Sequence, residues 1–384
     1  MSPASPPRPR AAPARPRVNL ALQGGGSHGA FTWGVLDRLL DDDGLDIGAI
    51  SGTSAGALNG AVALSGYVTG FGSGSSKGSS KGSAKSDKAS IAATLRARKQ
   101  AQQALHDFWH DVSQHGPLVS PMTLQPTGHL KSGFNFDQFP AYQWVSLFMR
   151  AFSPYEFNPL NLNPLRDVLA RHVDVEALHT GCARCGISLF VTATSVRTGQ
   201  ARVFSAEELS LDALMASACL PFVFQAVEID GEHFWDGGYT GNPALFPLIY
   251  QTANTDLMLV RINPLSRDEH PTRSIDIIDR LSEITFNASL IGEMRAIAFV
   301  KKLLKGDKLD PTRYKNLHMH MVADDEGMSA FNASSKFNSD WAFLQTLHGL
   351  GHQAADRWLK AHRDQVGHAS SFDIDAFFLG QAPA

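Results

Sequence analysis

VNLALQGGGSHGAFTWGVLDRLLDDDGLDIGAISGTSAG, residues 18–56, is the stretch that decides the fold of this 384-residue chain. It opens with a short apolar run, 18–23, that is typical of a buried strand, and glycines follow at once. Residues 30–40 then carry apolar side chains at helical spacing, and 45–51 form a second apolar run. Small residues continue over 55–65. Strand, glycine loop, helix, strand, turn and helix in this order predict a right-handed parallel βαβα unit.

A candidate nucleophile lies where the second strand ends, in Gly52-Thr53-Ser54-Ala55-Gly56. A serine between glycines at a sharp strand-to-helix turn can present its hydroxyl to a substrate. A helix N-cap is the simpler interpretation of Ser54. The flanking Gly52 and Gly56 favour the nucleophile.

Two further motifs supply what a serine nucleophile needs. After the first strand, a glycine-rich loop can direct bare backbone N–H groups at developing negative charge. Far along the chain, Asp236 begins an Asp-Gly-Gly turn behind Phe234 and Trp235, and it is the candidate base. Partial burial would raise the pKa of this carboxyl towards the working range. The glycines of these two motifs are Gly24, Gly25, Gly26 and Gly29, and Gly237 and Gly238.

The three motifs, in this order, resemble those of the patatin-like phospholipases of bacterial type, also called patatin-like lipid acyl hydrolases. The stretch 216–224 and the pair Asn242-Pro243 are similar to the family as well. The resemblance is close over 18–66 and 187–262 and looser elsewhere. It implies an α/β fold of three layers, α/β/α, with a central, mostly parallel sheet.

The resemblance also implies a reaction, the hydrolysis of carboxylic ester bonds of lipids through an acyl-serine intermediate. Carried over to this sequence, the catalytic dyad is Ser54 and Asp236, and the oxyanion is held by Gly25 and Gly26. No metal and no cofactor are implied. The family often has Lys or Arg at the loop position that His28 occupies here. Because a histidine can be neutral at pH 7, we expect any electrostatic hold on an anion by this loop to depend on pH.

Three alternatives remain beside the dyad. The loop also fits a dinucleotide-binding fingerprint, although the second strand ends in a serine turn rather than in the acidic residue that grips the ribose. A Ser–Asp–His triad would need a histidine after Asp236, and His270, His318 and His320 are the candidates. A non-catalytic lipid-binding protein on the same fold is the third alternative.

Composition limits the class of protein and its surroundings. A net charge of −3 gives no basic field for nucleic acid. The sequence has no apolar run long enough for a membrane span, and residues 1–17 lack the apolar core of a secretory signal. Three cysteines cannot form a disulfide framework. We therefore expect a cytoplasmic protein; the sequence carries no signal for its oligomeric state.

Organisation along the chain follows from composition. Residues 1–17 are rich in proline and arginine and predict a disordered tail, 18–365 an acyl hydrolase domain, and 366–384 a loosely ordered C-terminal tail. A Gly/Ser/Lys-rich insertion at about 66–90 predicts a flexible surface loop. Its lysines suit peripheral contact with a membrane surface, while a solvated loop is the simpler interpretation. The aromatic-rich segment 108–159 suits either an acyl groove or core packing.

Overall fold

The computed structural model describes residues 15–72, 83–115, 134–137, 140–267 and 270–380. Within them the strands of one sheet are β1 (Arg17–Leu22), β2 (Asp46–Thr53), β3 (Ser188–Ser195), β4 (Ala201–Ser205), β5 (Val227–Ile229), β6 (Glu232–Asp236), β7 (Asp256–Val260) and β8 (His318–Val322). Their spatial order is β5-β6-β3-β2-β1-β7-β8, and β4 also pairs with β3. The four neighbouring pairs β3-β2, β2-β1, β1-β7 and β7-β8 are parallel. The pairs β3-β4, β3-β6 and β6-β5 are antiparallel and lie at one side of the sheet.

Helices cover both faces of this sheet. They are α1 (Gly29–Asp41), α2 (Ala55–Gly72), α3 (Ser83–Gln114), α4 (Pro140–Ala151), α5 (Pro154–Phe157), α6 (Leu165–His172), α7 (Val175–Cys185), α8 (Leu211–Ser217), α9 (Phe246–Tyr250), α10 (Ser274–Lys305), α11 (Asp325–Met328), α12 (Trp341–His362) and α13 (Ile374–Phe378).

Alternating side chains of the central strands divide the core into two halves. Leu20 and Leu22 of β1 belong to the cluster formed with α1, α2, α3 and α12. Ala21, between them, faces the opposite cluster, to which α10 contributes Leu290 and Met294. This alternation follows from the two-residue period of a strand. The protein therefore has the predicted three-layer α/β/α fold with a mostly parallel central sheet.

The βαβα unit has the predicted order, but its second helix is longer than expected. Helix α2 continues to Gly72, past the Ser65 end that the sequence suggests, and α3 already begins at Ser83. Buried Val68 and Gly70 pack this extension against neighbouring helices, so burial outweighs the low helix propensity of its glycines. The remainder of the predicted insertion, 73–82, lies outside the described residues, as does the predicted tail over 1–14.

The C-terminal segment is more ordered than the sequence analysis expects. Val366, Ile374 and Phe378 are buried, the last two in the core half that contains α10. The backbone also joins the sheet, since the Ser371 N–H donates to the Met319 carbonyl at 2.9 Å. The expectation of a loosely ordered tail is wrong up to residue 380. The few apolar residues of this segment pack into a core that other parts of the chain form in the folded protein.

Part of the aromatic-rich segment packs in the core as considered, and part is exposed; the acyl groove stays a prediction. Phe108 and Trp109 of α3 are buried in the core, as is Phe136. Trp144 and Phe148 of α4 are exposed, the first by 72%. No helix among the described residues is long and apolar enough to cross a bilayer.

Two glycines allow α1 and α12 to touch backbone to backbone. A Cβ on Gly351 would lie 1.9 Å from the Phe31 carbonyl oxygen, and one on Gly34 would lie 2.0 Å from that of His348. By contrast, a Cβ on Gly349, also in α12, would have no neighbour within 4 Å among the described residues. The sequence in this region therefore determines the distance between two helices.

We expect Gly351→Ala to lower the free energy of unfolding by about 2–3 kcal/mol, because the added methyl group forces the helices apart. The matched Gly349→Ala variant should be neutral or more stable by up to about 1 kcal/mol, since only helix propensity changes there. Urea denaturation followed by circular dichroism measures both. Equal effects of the two substitutions would contradict the close helix contact.

Candidate active site

Ser54 occupies a sharp turn between β2 and α2. Its φ of +52° lies in the left-handed region, which non-glycine residues seldom adopt. Its carbonyl accepts the Leu58 N–H at 3.0 Å, so the helix begins there, while its own N–H donates to Ser217 Oγ at 2.9 Å. An N-cap serine normally has an extended backbone. The strained turn therefore favours the nucleophile over the N-cap interpretation.

The glycines on either side of Ser54 are required by close packing. A Cβ on Gly52 would lie 2.6 Å from the Ala57 backbone nitrogen, and one on Gly56 would lie 2.2 Å from the Leu22 carbonyl oxygen. Both contacts are with backbone atoms, which cannot move aside as a flexible side chain can. Helix α2 can thus leave the strand at once and direct its N-terminus at the same edge of the sheet.

Asp236 comes to this edge from the far end of the domain through strand pairing. It ends β6 opposite Ala193 of β3, and Thr192 of β3 is in turn the partner of Thr53 on β2. The following Gly237 passes so close to the sheet that a Cβ there would lie 2.1 Å from the Thr192 carbonyl oxygen. The register of three strands and one glycine therefore bring Asp236 towards Ser54.

The carboxyl group of Asp236 is fully buried. Its Oδ1 accepts the Gly238 N–H at 2.7 Å, whereas Oδ2 has no hydrogen-bond partner of ordinary geometry in the described part of the chain. Burial raises the pKa of Asp236 from 3.8 to about 7, against the opposing effects of the Gly238 N–H, the Ser54 side chain and the charge of Lys336. A carboxyl group in this range can accept a proton near neutral pH.

The glycine-rich loop lies directly against the serine. A Cβ on Gly24 would be 2.6 Å from Ser54 Cβ and 2.7 Å from the Thr53 carbonyl oxygen. The Gly24 N–H is engaged, because it donates to Asn242 Oδ1 at 2.7 Å. That contact gives a role to Asn242, which the sequence analysis notes without assigning one.

Unlike that of Gly24, the backbone N–H groups of Gly25 and Gly26 are not engaged in a hydrogen bond within the described residues. Gly26 has a φ of +59°, and a Cβ there would lie 2.5 Å from the Lys336 carbonyl oxygen. At the end of the loop, Gly29 packs on Ala55, where a Cβ would come within 2.6 Å of its side chain. The loop therefore presents two N–H groups without an acceptor in the described part of the chain, and at Gly26 its backbone leaves no room for a side chain.

His28 does not act as the titrating charge that the sequence analysis expects. It is buried, its Nε2 lies 2.7 Å from Ser335 Oγ, and its ring is close to those of Phe331 and Phe343. Burial lowers its pKa well below 6.5, and the charges of Lys336 and Arg267 lower it further. His28 is thus neutral at pH 7 and anchors the loop to the segment before α12.

His318 and His320, two of the histidines considered for a triad, lie away from Ser54. His320 Nε2 and His318 Nδ1 approach Asp256 Oδ1 at 3.0 and 3.4 Å, at the start of β7 and β8. Ser54 follows the end of β2, and β2 runs parallel to β7 and β8. Ser54 and the two histidines therefore lie towards opposite ends of the parallel strands. His270 is exposed in the loop before α10.

Polar residues that no sequence motif indicates hold the glycine loop from behind. Gln23 Oε1 accepts the N–H groups of Ile262 and Asn263, both at 3.0 Å. Asn263 Nδ2 donates to the Gly24 carbonyl at 2.8 Å, and its Oδ1 accepts from Lys336 Nζ at 2.8 Å. These contacts join segments that are distant in sequence, and single polar residues carry no local pattern that would reveal them.

Comparison with known proteins agrees with the motifs. A sequence profile described as patatin-like phospholipase matches residues 20–249, more than half of the chain. Comparison with curated proteins gave no significant match. Among solved structures, VipD from Legionella pneumophila aligns over 96% of this chain and 73% of its own, at 12% identity and a TM-score of 0.33, which is too low to support an argument. On the profile match, the chain belongs to the patatin-like phospholipase family, whose members are lipid acyl hydrolases.

Proposed function

We propose that Ser54 and Asp236 form a catalytic dyad that hydrolyses acyl ester bonds of lipids through an acyl-serine intermediate. The observation that carries this proposal is the buried Asp236 carboxyl, whose pKa is raised to about 7 and whose Oδ2 lacks an aligned partner among the described residues. The Ser54 hydroxyl is the neighbouring side chain that interacts with it. We assign this activity to residues 18–365; a cytoplasmic location and peripheral membrane contact stay predictions.

The proposed mechanism has two steps, formation of the acyl-serine and its hydrolysis. Ser54 Oγ attacks the ester carbonyl as Asp236 takes its proton, and the N–H groups of Gly25 and Gly26 donate to the oxyanion. Collapse of the tetrahedral intermediate breaks the ester C–O bond, and Asp236 returns the proton to the departing alcohol. A water molecule then attacks the acyl-serine and gives a proton to Asp236. The bond between the acyl carbon and Ser54 Oγ breaks, Asp236 returns the proton to Oγ, and the fatty acid leaves.

A substrate panel tests the proposal. Purified protein is assayed with p-nitrophenyl esters of increasing chain length and with labelled phospholipids, using Ser54→Ala as the background. We expect ester hydrolysis above that background and covalent modification of Ser54 by a fluorophosphonate probe. Wild-type protein that binds lipid but neither turns over an ester nor reacts with the probe would instead support the non-catalytic alternative.

The pH dependence of the reaction is set by Asp236. Its protonated form cannot accept the serine proton, so kcat/KM should fall about tenfold per pH unit below a pKa of about 7. Activity thus rises with pH through neutrality and reaches a plateau above it. Initial rates on a soluble ester between pH 5 and 9 measure this limb. A limb centred near pH 4, where an exposed aspartate titrates, would contradict the buried base.

A further inference from the structure

Ser217, the last residue of α8, joins the turn at Ser54 to the neighbouring strand. Its side chain is fully buried, and its Oγ accepts the Ser54 N–H at 2.9 Å. The same hydroxyl donates to the carbonyl of Thr192, in β3, at 2.7 Å. Because a hydroxyl has a single proton, donation to Thr192 leaves the lone pairs of Oγ for the Ser54 N–H. The bridge therefore has a defined direction.

The residues that follow Ser217 also hold the backbone of the candidate base. The Cys219 carbonyl accepts the Asp236 N–H at 2.8 Å. The main-chain N–H groups of nucleophile and base are therefore both bound by one short segment, the end of α8 and the two residues after it. Thr192 adds a further connection, because its carbonyl oxygen also lies against the Gly237 Cα, as the 2.1 Å distance to an added Cβ shows.

The turn at Ser54 depends on contacts from outside it. Its φ of +52° is unfavourable for a residue with a side chain, and such a backbone persists only where the surrounding structure fixes it. Among the described residues, Ser217 Oγ is the acceptor for the Ser54 N–H. Without this hydroxyl, a backbone donor and the Thr192 carbonyl would each lose a partner, and we expect the turn to relax away from Asp236.

We propose that Ser217 is a positioning residue for ester hydrolysis, whose hydroxyl holds Ser54 where Asp236 can take its proton. This inference rests on the proposed function and adds a residue to it. Ser217 acts through the Ser54 backbone and not on the substrate, since its own hydroxyl is buried and bound on both sides. Proton transfer and attack on a carbonyl both depend steeply on distance, so a small displacement of Ser54 Oγ is sufficient to slow the reaction.

The oxyanion donors are separate from this role. The Ser54 N–H is bound to Ser217 and so is not free to donate to a substrate. The N–H groups of Gly25 and Gly26, in contrast, have no acceptor in the described part of the chain. Removal of the Ser217 hydroxyl should therefore misplace the nucleophile and leave the groups that bind the carbonyl oxygen in place.

The test measures kcat and KM of Ser217→Ala and Ser217→Thr on a soluble p-nitrophenyl ester. The alanine variant should lose about 10- to 100-fold in kcat, the effect of a misplaced reacting group, with little change in KM. The threonine variant keeps a hydroxyl and should retain most of kcat. In Ser217→Ala the rise of activity with pH should remain near pH 7, because Asp236 stays buried.

Ser65→Ala is the matched control. Ser65 is buried in α2, about 15 Å from the start of the helix. Its Oγ accepts the Asp174 N–H at 2.9 Å, so this variant loses the same kind of bond at a distance from the dyad. Both alanine variants should lower the urea concentration at half-unfolding to a similar extent, and only Ser217→Ala should lower kcat.

Reaction of Ser54 with a fluorophosphonate separates positioning from folding. The rate of labelling reports the reactivity of the serine, and its final extent reports the folded fraction. Ser217→Ala should be labelled completely but more slowly than wild type. Ser217→Cys keeps nearly the volume of serine with a weaker acceptor, so it should show the same slowing even where the alanine variant does not fold.

A kcat of Ser217→Ala equal to that of wild type would overturn the inference, as would a loss of the same size in Ser65→Ala or in Ser217→Thr. Incomplete labelling at the wild-type rate would also overturn it, since the hydroxyl would then serve only stability. In each of these cases wild-type protein still cleaves the ester, so the proposed function stands. Wild type that neither cleaves the ester nor reacts with the probe overturns the proposed function, and with it this role of Ser217.

Discussion

Ser54→Ala, Asp236→Asn and the double variant are expected to lose the same share of activity, about 10³- to 10⁴-fold in kcat. Asparagine keeps the shape of the carboxyl group and can still accept the Gly238 N–H through Oδ1, but it cannot take a proton from Ser54. Because the two residues act in one step, removing the second should add little to the loss from the first. Initial rates on a p-nitrophenyl ester with all three variants measure this.

Stability provides the control for Asp236→Asn. The folded-state pKa of Asp236 is raised from 3.8 to about 7, so its ionisation opposes folding. This ionisation alone should lower the free energy of unfolding of wild type by about 4 kcal/mol as pH rises from about 4 to about 7, with no further loss from this group above pH 7. The asparagine variant escapes this loss, so it should be the more stable protein at pH 8 and similar to wild type near pH 4. Urea denaturation at both pH values measures the difference. An inactive variant that is less stable than wild type at pH 8 would indicate damage to the fold instead.

Gly24→Ala should cost about 10²- to 10³-fold in kcat, the effect of losing an oxyanion donor. The added methyl group meets Ser54 Cβ at 2.6 Å and the Thr53 carbonyl oxygen at 2.7 Å. Since the turn at Ser54 is rigid, the loop must move away from it and carry the N–H groups of Gly25 and Gly26 out of reach. Binding of the substrate depends less on these donors, so KM should change less than kcat.

Gly292→Ala is the matched control for this substitution. A Cβ on Gly292, in α10, would have no neighbour within 4 Å among the described residues. Both variants should give the far-ultraviolet circular dichroism of wild type, and only Gly24→Ala should lose activity. A kcat of Gly24→Ala within twofold of wild type would exclude the glycine loop from the reaction.

Local patterns were sufficient to predict the first unit of the fold and the motifs of the site. The apolar runs of β1 and β2, and the glycines around Ser54, act through the backbone within a few residues, so periodicity and composition reveal them. Helix α12, Trp341–His362, has the same kind of local signal, because its apolar spacing is regular over six turns.

Properties that arise only from tertiary contact could not be read in this way. The neutral state of His28 depends on burial beside Phe331 and Phe343, and the packing of Phe378 depends on a core half formed by α10. Lys336 and Asn263 meet the glycine loop from segments far apart in sequence. For the same reason the apolar neighbours of Asp236 in sequence indicate at most partial burial, whereas the tertiary fold buries its carboxyl completely and so raises its pKa.

The rate at which a fluorophosphonate labels Ser54 tests most directly whether a carboxylate alone activates this serine. Mass spectrometry of the intact protein, with peptide mapping, follows the reaction in wild type, in Asp236→Asn and in the alanine variants of His270, His318 and His320. Labelling is expected in wild type and in every histidine variant that remains folded, and it should fall to background in Asp236→Asn. Undiminished labelling of Asp236→Asn, or its loss in a folded histidine variant, would contradict the dyad.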